Sequence, residues 1–492
     1  MRYLALCTDY DGTLATDGQL LPDTIAALER LLASGRRLVL VTGRELDDLQ
    51  KVCPRLDLFE YVVAENGALL FKPSTGEETH LGPRPPDAFV ALLRERGVGP
   101  ISVGRVIVAT WEPHETAVLA TIRDLGLELQ VIFNKGAVMI LPAGVNKATG
   151  LTSALEKMEI SPHNAVGVGD AENDHALLAL CECSAAVSNA LPTLKDAADI
   201  LTKADHGAGV VELIDEMLRD DLASREPKLT RHHVLLGTNE QGAEVRVPPH
   251  GQTVLVVGEK GVGKSVFATR LLDRLATKGY SFGVIDVEGD YGKIGKAVSL
   301  GSPSRPPTAN EILKLLQGAD KSAVVNLSGL PPADRLPFLT ALTPKLAELR
   351  AHSGHPHWVV VDETHHLLPA NSASDGLVPL GNGESVLHIT ERPTLVTRAV
   401  AQATTLFVAL GRKAQTLLEE FCQVRGVGRP EGSVTTLRED EALAWWPAQA
   451  NAQPLRLNIA VPQQEPDAAG SGSGVGKSGS GRAARARTGS LH

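Results

Sequence analysis

Short apolar runs recur along this chain, and each stops at a cluster of Asp, Gly, Thr or Ser before a helical pattern begins. The first fifty-odd residues read RYLALCTDYDG, TIAALERLLASG, RRLVLVTGR and ELDDLQKVC. Further on, TVLVVGEKGVGKS is followed by VFATRLLDRLA. This strand–helix alternation requires crossover helices that bring the chain back to the same sheet edge, and so a parallel sheet covered on both faces. It also puts the residue that ends each strand at the carboxyl edge, where open α/β sheets build their ligand crevice. Aromatic residues make up only 4% of the chain. The cores must therefore be built from Ala, Val and Leu, which suits helices on parallel sheets better than a β-sandwich. The expected fold class is α/β, with two doubly wound parallel-sheet domains.

At roughly 150 residues per domain, 492 residues suit two or three domains. The first α/β rhythm spans 1–222, and a polar segment at 223–233 reads as a linker. A second rhythm fills 234–465, with expected strands TVLVVG, SFGVIDV, SAVVNLSG, HWVVVDE and TLFVALG. Pro369 to Glu384 is rich in Gly, Ser and Asn and reads as a loop. The tail, 466–492, is rich in Gly, Ser, Ala and Arg and is expected to stay disordered, since it has too little apolar surface to bury. The net charge of −10 excludes a globally basic nucleic-acid binder but leaves room for a local basic patch. There is no apolar run of membrane-spanning length, and the first apolar stretch meets Asp9 at once, so neither a membrane partner nor a signal peptide is expected. The five cysteines show no metal spacing, which fits reduced thiols in a cytoplasm.

The first strand ends in Asp9-Tyr10-Asp11-Gly12-Thr13. Two aspartates two apart at a strand end point the same way, into the crevice. Alone, this pattern also suits a calcium loop or a simple turn. Three further runs accompany it: VLVTGR with Thr42, GVNKATGL with Lys147, and AVGVGDAENDHALL with Asp170, Asn173 and Asp174. Together the four runs, in this order, resemble the haloacid dehalogenase-like phosphohydrolases. AENGA and NKATGL resemble the Cof-type (IIB) subgroup, whose cap is inserted between the second and third motifs; here that cap would be about 71–141.

The resemblance implies a Mg²⁺-dependent phosphate-ester hydrolase. Asp9 would attack phosphorus and form an aspartyl-phosphate. Asp11 would be the general acid and base, and its presence implies phosphate hydrolysis rather than dehalogenation. Thr42 would hold a phosphoryl oxygen and Lys147 would offset its charge. Asp9, Asp11, Asp170 and Asp174 form the expected Mg²⁺ set, with Glu172 and Asn173 outside it. Arg105, Trp111, His114, Phe133, Asn134 and Lys135 are the cap residues placed to read a substrate. The substrate expected is a phosphorylated small molecule or nucleic acid.

In the second half, Gly258-x4-Gly263-Lys264-Ser265 lies between an apolar strand and an apolar helix, the context a P-loop needs. Gly258, Gly261 and Gly263 let backbone N–H groups face the phosphates of ATP, and the helix N-terminus adds a favourable dipole. Lys264 would reach the β/γ-phosphates and Ser265 would ligate Mg²⁺. HWVVVDETHHLLP adds Asp362, positioned for Mg²⁺, and Glu363, positioned to polarise the attacking water. With GVIDVEGDYGKI (Asp286, Glu288, Asp290, Tyr291), these runs resemble the HerA/FtsK-type translocase ATPases. The resemblance implies a homo-oligomeric ring that contacts DNA, with Arg392, Arg398 or Arg412 acting on a neighbouring subunit's site. It also implies a γ-phosphate sensor at Glu391 or Gln402.

A polynucleotide kinase–phosphatase shares this domain order, but Glu363 directly after Asp362 suits a water acceptor better than a hydroxyl acceptor. A ligand-sensing scaffold without turnover is the third reading. His352, His355, His357, His365 and His366 have no zinc spacing, and the tail run GSGSGVGKS lacks the flanking strand and helix of a P-loop.

Overall fold

The computed structural model describes residues 1–292, 294–370, 385–432, 436–449 and 452–459. Most of the expected loop at 369–384 and all of the expected disordered tail lie outside the described residues. Residues 1–459 form one compact unit built on three sheets.

In the first sheet, six parallel strands run in the order Ile200–Leu201, Cys183–Ala186, Ala165–Gly169, Ala5–Thr8, Arg37–Val41 and Tyr61–Ala64. Ala5–Thr8 is central, paired with Ala165–Gly169 on one side and Arg37–Val41 on the other. All four of its residues are buried, as expected for a strand covered on both faces. The hairpin Leu69–Lys72 and Glu77–His80 continues the sheet antiparallel. The inserted cap therefore begins after this hairpin rather than at Phe71. It is a four-stranded antiparallel sheet (Ser102–Val103, Val108–Trp111, Ala137–Pro142, Leu129–Asn134) with the helices Asp87–Glu95 and Glu115–Asp124. Phe89, Leu93, Val118 and Ile140 form its small core.

The third sheet has a parallel block in the order Leu406–Leu410, Thr253–Val257, Ser385–Thr390, Trp358–Val361, Phe282–Asp286, Ala323–Asn326 and Val298–Leu300. The strand Ser385–Thr390 was not expected. It separates the strand before the glycine loop from the strand before Asp362 and pairs with both. Four antiparallel strands extend the other edge, including the hairpin Val234–Thr238 and Glu244–Val247. Among the described residues, no helix is long and apolar enough to cross a membrane.

The two large sheets meet at the amino ends of their strands. Tyr280, ahead of Phe282–Asp286, donates its hydroxyl to Glu182 Oε2 at 2.7 Å, just ahead of Cys183–Ala186. His163 Nε2 lies 2.8 Å from the Lys278 carbonyl and His355 Nε2 lies 3.1 Å from the Glu159 carbonyl. The segment read as a linker is tied into this joint. The Arg231 guanidinium donates to the carbonyls of Leu178 and Cys181 and to the Asp199 carboxylate.

Residues of AENGA and NKATGL pack directly on one another. Gly67 has φ +104°, and a Cβ there would lie 1.9 Å from the Asn146 carbonyl oxygen. That contact seats the start of helix Lys147–Lys157, whose N-cap is a reciprocal box between Asn146 and Thr149. Gly67→Ala combines a left-handed backbone with a backbone clash and is expected to cost about 2–4 kcal/mol. Thermal unfolding of the variant checks this.

Candidate functional sites

The carboxyl ends of the first sheet bring Asp9, Thr42, Lys147, Asp170 and Asp174 to one edge. Asp9 follows Ala5–Thr8, Thr42 follows Arg37–Val41, Asp170 follows Ala165–Gly169, and Lys147 is the first residue of its helix. The Lys147 ammonium donates to Asp9 Oδ1 at 2.6 Å and to Asp174 Oδ1 at 2.5 Å. All three side chains are nearly inaccessible. The other Asp174 oxygen accepts the backbone N–H groups of Asp170 (2.9 Å) and Ala171 (3.0 Å). Thr13 Oγ1 donates to Asp170 Oδ1 at 3.0 Å.

Burial pushes the Asp9 carboxyl above its ordinary range. The Lys147 ammonium opposes that rise and the Asp174 and Asp170 charges add to it. Burial alone would lower Lys147, but Asp174 and Asp9 together hold it above its ordinary value.

Asp9, Asp170 and Asp174 offer oxygens that all lie within 4.8 Å of one another. A hard divalent cation suits such an oxygen set. The cradle leaves no spare space: a Cβ on Gly12 would lie 2.5 Å from Asp170 Oδ2, and one on Gly169 would lie 2.6 Å from Asp174. The Asp11 carboxylate does not join this set. Arg44 takes both of its oxygens, at 2.6 Å and 2.7 Å. Asp11 instead presents its backbone carbonyl, which accepts from Lys135 Nζ at 3.2 Å. Lys135 also donates to Asp170 Oδ2 at 2.8 Å, so Asp11 O and Asp170 converge on one cationic group.

Of the cap residues expected to read a substrate, Lys135 is the one that reaches the acidic edge. Arg105 is paired with Asp47 at 2.6 Å, His114 meets the Gly99 carbonyl, and Trp111 and Phe133 are exposed. Asn173 donates to Asn66 Oδ1 at 2.9 Å, and its own Oδ1 is buried without a hydrogen-bond partner.

Two contributors escaped the sequence reading although they lie in runs already singled out. Arg44 ends VLVTGR, and its own N–H donates to Thr42 Oγ1 at 3.1 Å. Glu65, inside AENGA, is fully buried with φ 52°. Its carboxylate accepts N–H groups from Arg105 (2.8 Å), Val106 (2.7 Å) and Ile107 (2.9 Å) of the cap. Glu65 thus ties the cap to the core beside the site.

A second constellation lies at the carboxyl edge of the third sheet. Gly261 and Gly263 have φ of +84° and +94°, with open space where a Cβ would stand. Lys264 heads helix Lys264–Thr277 and Ser265 is next to it. The Lys264 ammonium is turned back onto the loop carbonyls of Gly258 (2.9 Å) and Glu259 (3.3 Å). Asp362 is 3% exposed, and its Oδ1 accepts no hydrogen bond. Glu363 Oε2 accepts no hydrogen bond but faces His365 Nδ1 at 3.3 Å, and the Glu363 backbone is left-handed at φ 42°. Strain and orphaned acceptors of this kind concentrate at ligand sites. Asp286 has a structural role, accepting the N–H groups of Gly289, Asp290 and Tyr291. Glu391 follows the unexpected strand Ser385–Thr390, whereas Gln402 is exposed on helix Arg398–Ala403. Arg392 is paired with Glu420; Arg398 and Arg412 are exposed.

The profile of the haloacid dehalogenase-like hydrolases matches residues 6–97 and 112–214. Phosphoglycolate phosphatase 2 of Saccharolobus solfataricus is 28% identical over 220 residues, covering 44% of this chain and 92% of that protein. The phosphoglycolate phosphatase of Halorubrum lacusprofundi is 30% identical over 230 residues, covering 43% of this chain and 96% of that protein. A solved haloacid dehalogenase-like hydrolase from Bacteroides thetaiotaomicron aligns with a TM-score of 0.40 at 18% identity, over 44% of this chain and 99% of its own.

Burial, with the Glu363 charge second, pushes the Asp362 carboxyl up to about 7. An unfolded aspartate titrates near 3.9. Between these values the folded chain keeps a proton that the unfolded chain has lost, so stability from this group falls as pH rises from about 4 through 7. Asp362→Asn is therefore expected to be more stable than the wild type at pH 8 by up to about 4 kcal/mol, with the gap closing toward pH 4. Thermal unfolding across that range, in EDTA, tests it.

Proposed function

We propose, because the chain belongs through residues 6–214 to the haloacid dehalogenase-like hydrolases, that it hydrolyses a small phosphate monoester at Asp9. The observation that carries this is the buried Lys147 bridge between Asp9 and Asp174 beside Asp170. Asp9 is the nucleophile and takes the phosphoryl group as an aspartyl-phosphate. Asp11 protonates the leaving oxygen and later takes a proton from water. To do so its carboxylate leaves the Arg44 fork that holds it here. The Thr42 hydroxyl, which accepts from Arg44 N–H, keeps its own proton to donate to a phosphoryl oxygen. Mg²⁺ held by Asp9, Asp170, Asp174 and the Asp11 carbonyl supplies charge neutralisation when bound.

The relatives named phosphoglycolate phosphatases favour a phosphorylated small carboxylic acid as substrate. Lys135 is a cation at the right edge to read that carboxylate once Asp170 is committed to the metal. Lys135→Ala is expected to raise KM roughly 10-fold or more for phosphoglycolate while leaving KM for p-nitrophenyl phosphate within a factor of about two, since one charge-assisted hydrogen bond is at stake. Equal effects on both substrates would remove Lys135 from substrate reading.

The second site is proposed to hydrolyse ATP. Gly258, Gly261, Gly263 and Lys264 hold the phosphates, Ser265 and Asp362 suit Mg²⁺, and Glu363 activates water. The unpartnered Asp362 Oδ1, the left-handed backbone of Glu363 and the open glycine loop support this reading. Assembly into a ring acting on DNA is its extension, supported by the HerA-like runs and by the exposed Arg398 and Arg412. The expected outcome is that Asp9→Asn abolishes phosphatase turnover and spares ATP hydrolysis. Lys264→Ala should lose nucleotide binding, whereas Glu363→Gln should keep binding and lose hydrolysis. ATPase assays with and without duplex DNA, with light scattering, test the ring. Transfer of label from ATP to a 5′-hydroxyl oligonucleotide would instead mark a polynucleotide kinase.

A further inference from the structure

The joint between the two large sheets holds a second ligand-rich cluster, far from either carboxyl edge. His163 Nε2 lies 2.8 Å from the Lys278 carbonyl, which can only accept, so that nitrogen carries the hydrogen. His163 Nδ1 is then the lone-pair nitrogen, and it lies 2.7 Å from Glu182 Oε2. Two lone pairs cannot face each other at that distance without a cation between them. His232 Nε2 is 4.0 Å from the same carboxylate oxygen, and His250 Nε2 is 3.4 Å from Oε1. Both of these nitrogens are buried and make no hydrogen bond. The ligand atoms of His163, Glu182 and His232 all lie within 4.8 Å of one another.

A proton on His163 Nδ1 would relieve that one contact and leave His232 and His250 orphaned. A metal ion held by His163, Glu182 and His232 satisfies that contact and the His232 nitrogen together. We propose that this cluster is a structural site for a Zn²⁺-class ion, with ligands His163 Nδ1, Glu182 and His232 Nε2 and a fourth position open to water. Two imidazoles and one carboxylate are a borderline donor set that suits zinc rather than Mg²⁺.

The surroundings have the features of an outer shell. The Lys278 carbonyl fixes the His163 tautomer, and Tyr280 donates to Glu182 Oε2 at 2.7 Å. Arg2 Nη2 donates to Glu182 Oε1 at 2.8 Å, so the lone pair of Oε2 that the Tyr280 bond does not use is the one for the ion. His357 is excluded as a ligand: its Nδ1 accepts the Ser281 N–H at 2.9 Å, so its Nε2 keeps the hydrogen. The ligands come from two parts of the chain. His163 and Glu182 belong to the first sheet's end and His232 to the connecting segment. The ion would pin the connector to the first sheet at the point where Lys278 and Tyr280 of the second half meet His163 and Glu182.

Co²⁺ is the probe, added to the EDTA-treated full chain. The expected result is the intense visible absorption of a tetrahedral nitrogen-containing site, saturating at one Co²⁺ per chain and displaced by Zn²⁺, above the weak absorption of Co²⁺ at the Asp9, Asp170 and Asp174 oxygens. Asp170→Asn should keep the intense band. His163→Ala and His232→Ala should lose it, with affinity falling by more than the roughly 10–100-fold that loss of an outer-shell partner costs. Persistence of the intense band in His232→Ala, or only the weak absorption of an all-oxygen site in the wild type, overturns the proposal. If the variants fail to fold, X-ray absorption on the Asp170→Asn protein loaded with one equivalent of zinc decides. Imidazole nitrogens in the shell support the site, and an oxygen-only shell overturns it.

Discussion

One buried ammonium organises the first half of this molecule. Lys147 has almost no contact with water, and its charge is tolerable only because Asp9 and Asp174 both meet it within 2.6 Å. Removing either carboxylate would leave an uncompensated charge inside the protein. The bond therefore fixes three pieces of chain relative to one another: the end of the central strand, the first turn of a helix and the loop after Ala165–Gly169. Asp174 passes the constraint on by capping the N–H groups of Asp170 and Ala171. The Gly67–Asn146 contact sets the depth at which the helix start can sit.

The cap is held by a similar device. Glu65 offers one carboxylate to three successive cap N–H groups, those of Arg105, Val106 and Ile107. Its left-handed backbone is the local cost of pointing the side chain that way. Lys135, on the turn between Leu129–Asn134 and Ala137–Pro142, makes the cap's second contact, with the acidic edge. The cap is thus anchored at one fixed acceptor and at one exchangeable cation. That arrangement suits a cover that changes its contacts when the acidic edge is filled.

Residues at strand ends were legible because their placement is local: an apolar run sets the strand, and the next few residues must occupy its carboxyl edge. Asp9, Thr42 and Asp170 stand directly after such strands, whereas Lys147 heads a helix and Asp174 lies four residues beyond Asp170, so those two rested on the family resemblance. Partnerships across long sequence separations did not follow. The capture of the Asp11 carboxylate by Arg44 depends on the register of two strands, and no local run announces it. Arg105 looked like a substrate reader, but its partner Asp47 lies 58 residues away in the chain. The strand Ser385–Thr390 went unseen because a Gly/Ser/Asn-rich run precedes it and it contains a buried His388. The cap boundary was misplaced because the hairpin Leu69–Lys72 and Glu77–His80 looks the same whether it extends the main sheet or opens the insertion. The histidines of the joint are scattered from position 163 to 357, and only the fold collects them.

Because the large sheets join at their amino ends, their reactive edges face away from each other. Each strand of four or five residues spans roughly 13–17 Å, so two such lengths and the joint itself separate the two edges. A group released at one edge enters bulk water on its own side of the molecule. What the two sheets share is the handful of side chains at the joint, Tyr280 on Glu182 and His163 and His355 on facing carbonyls.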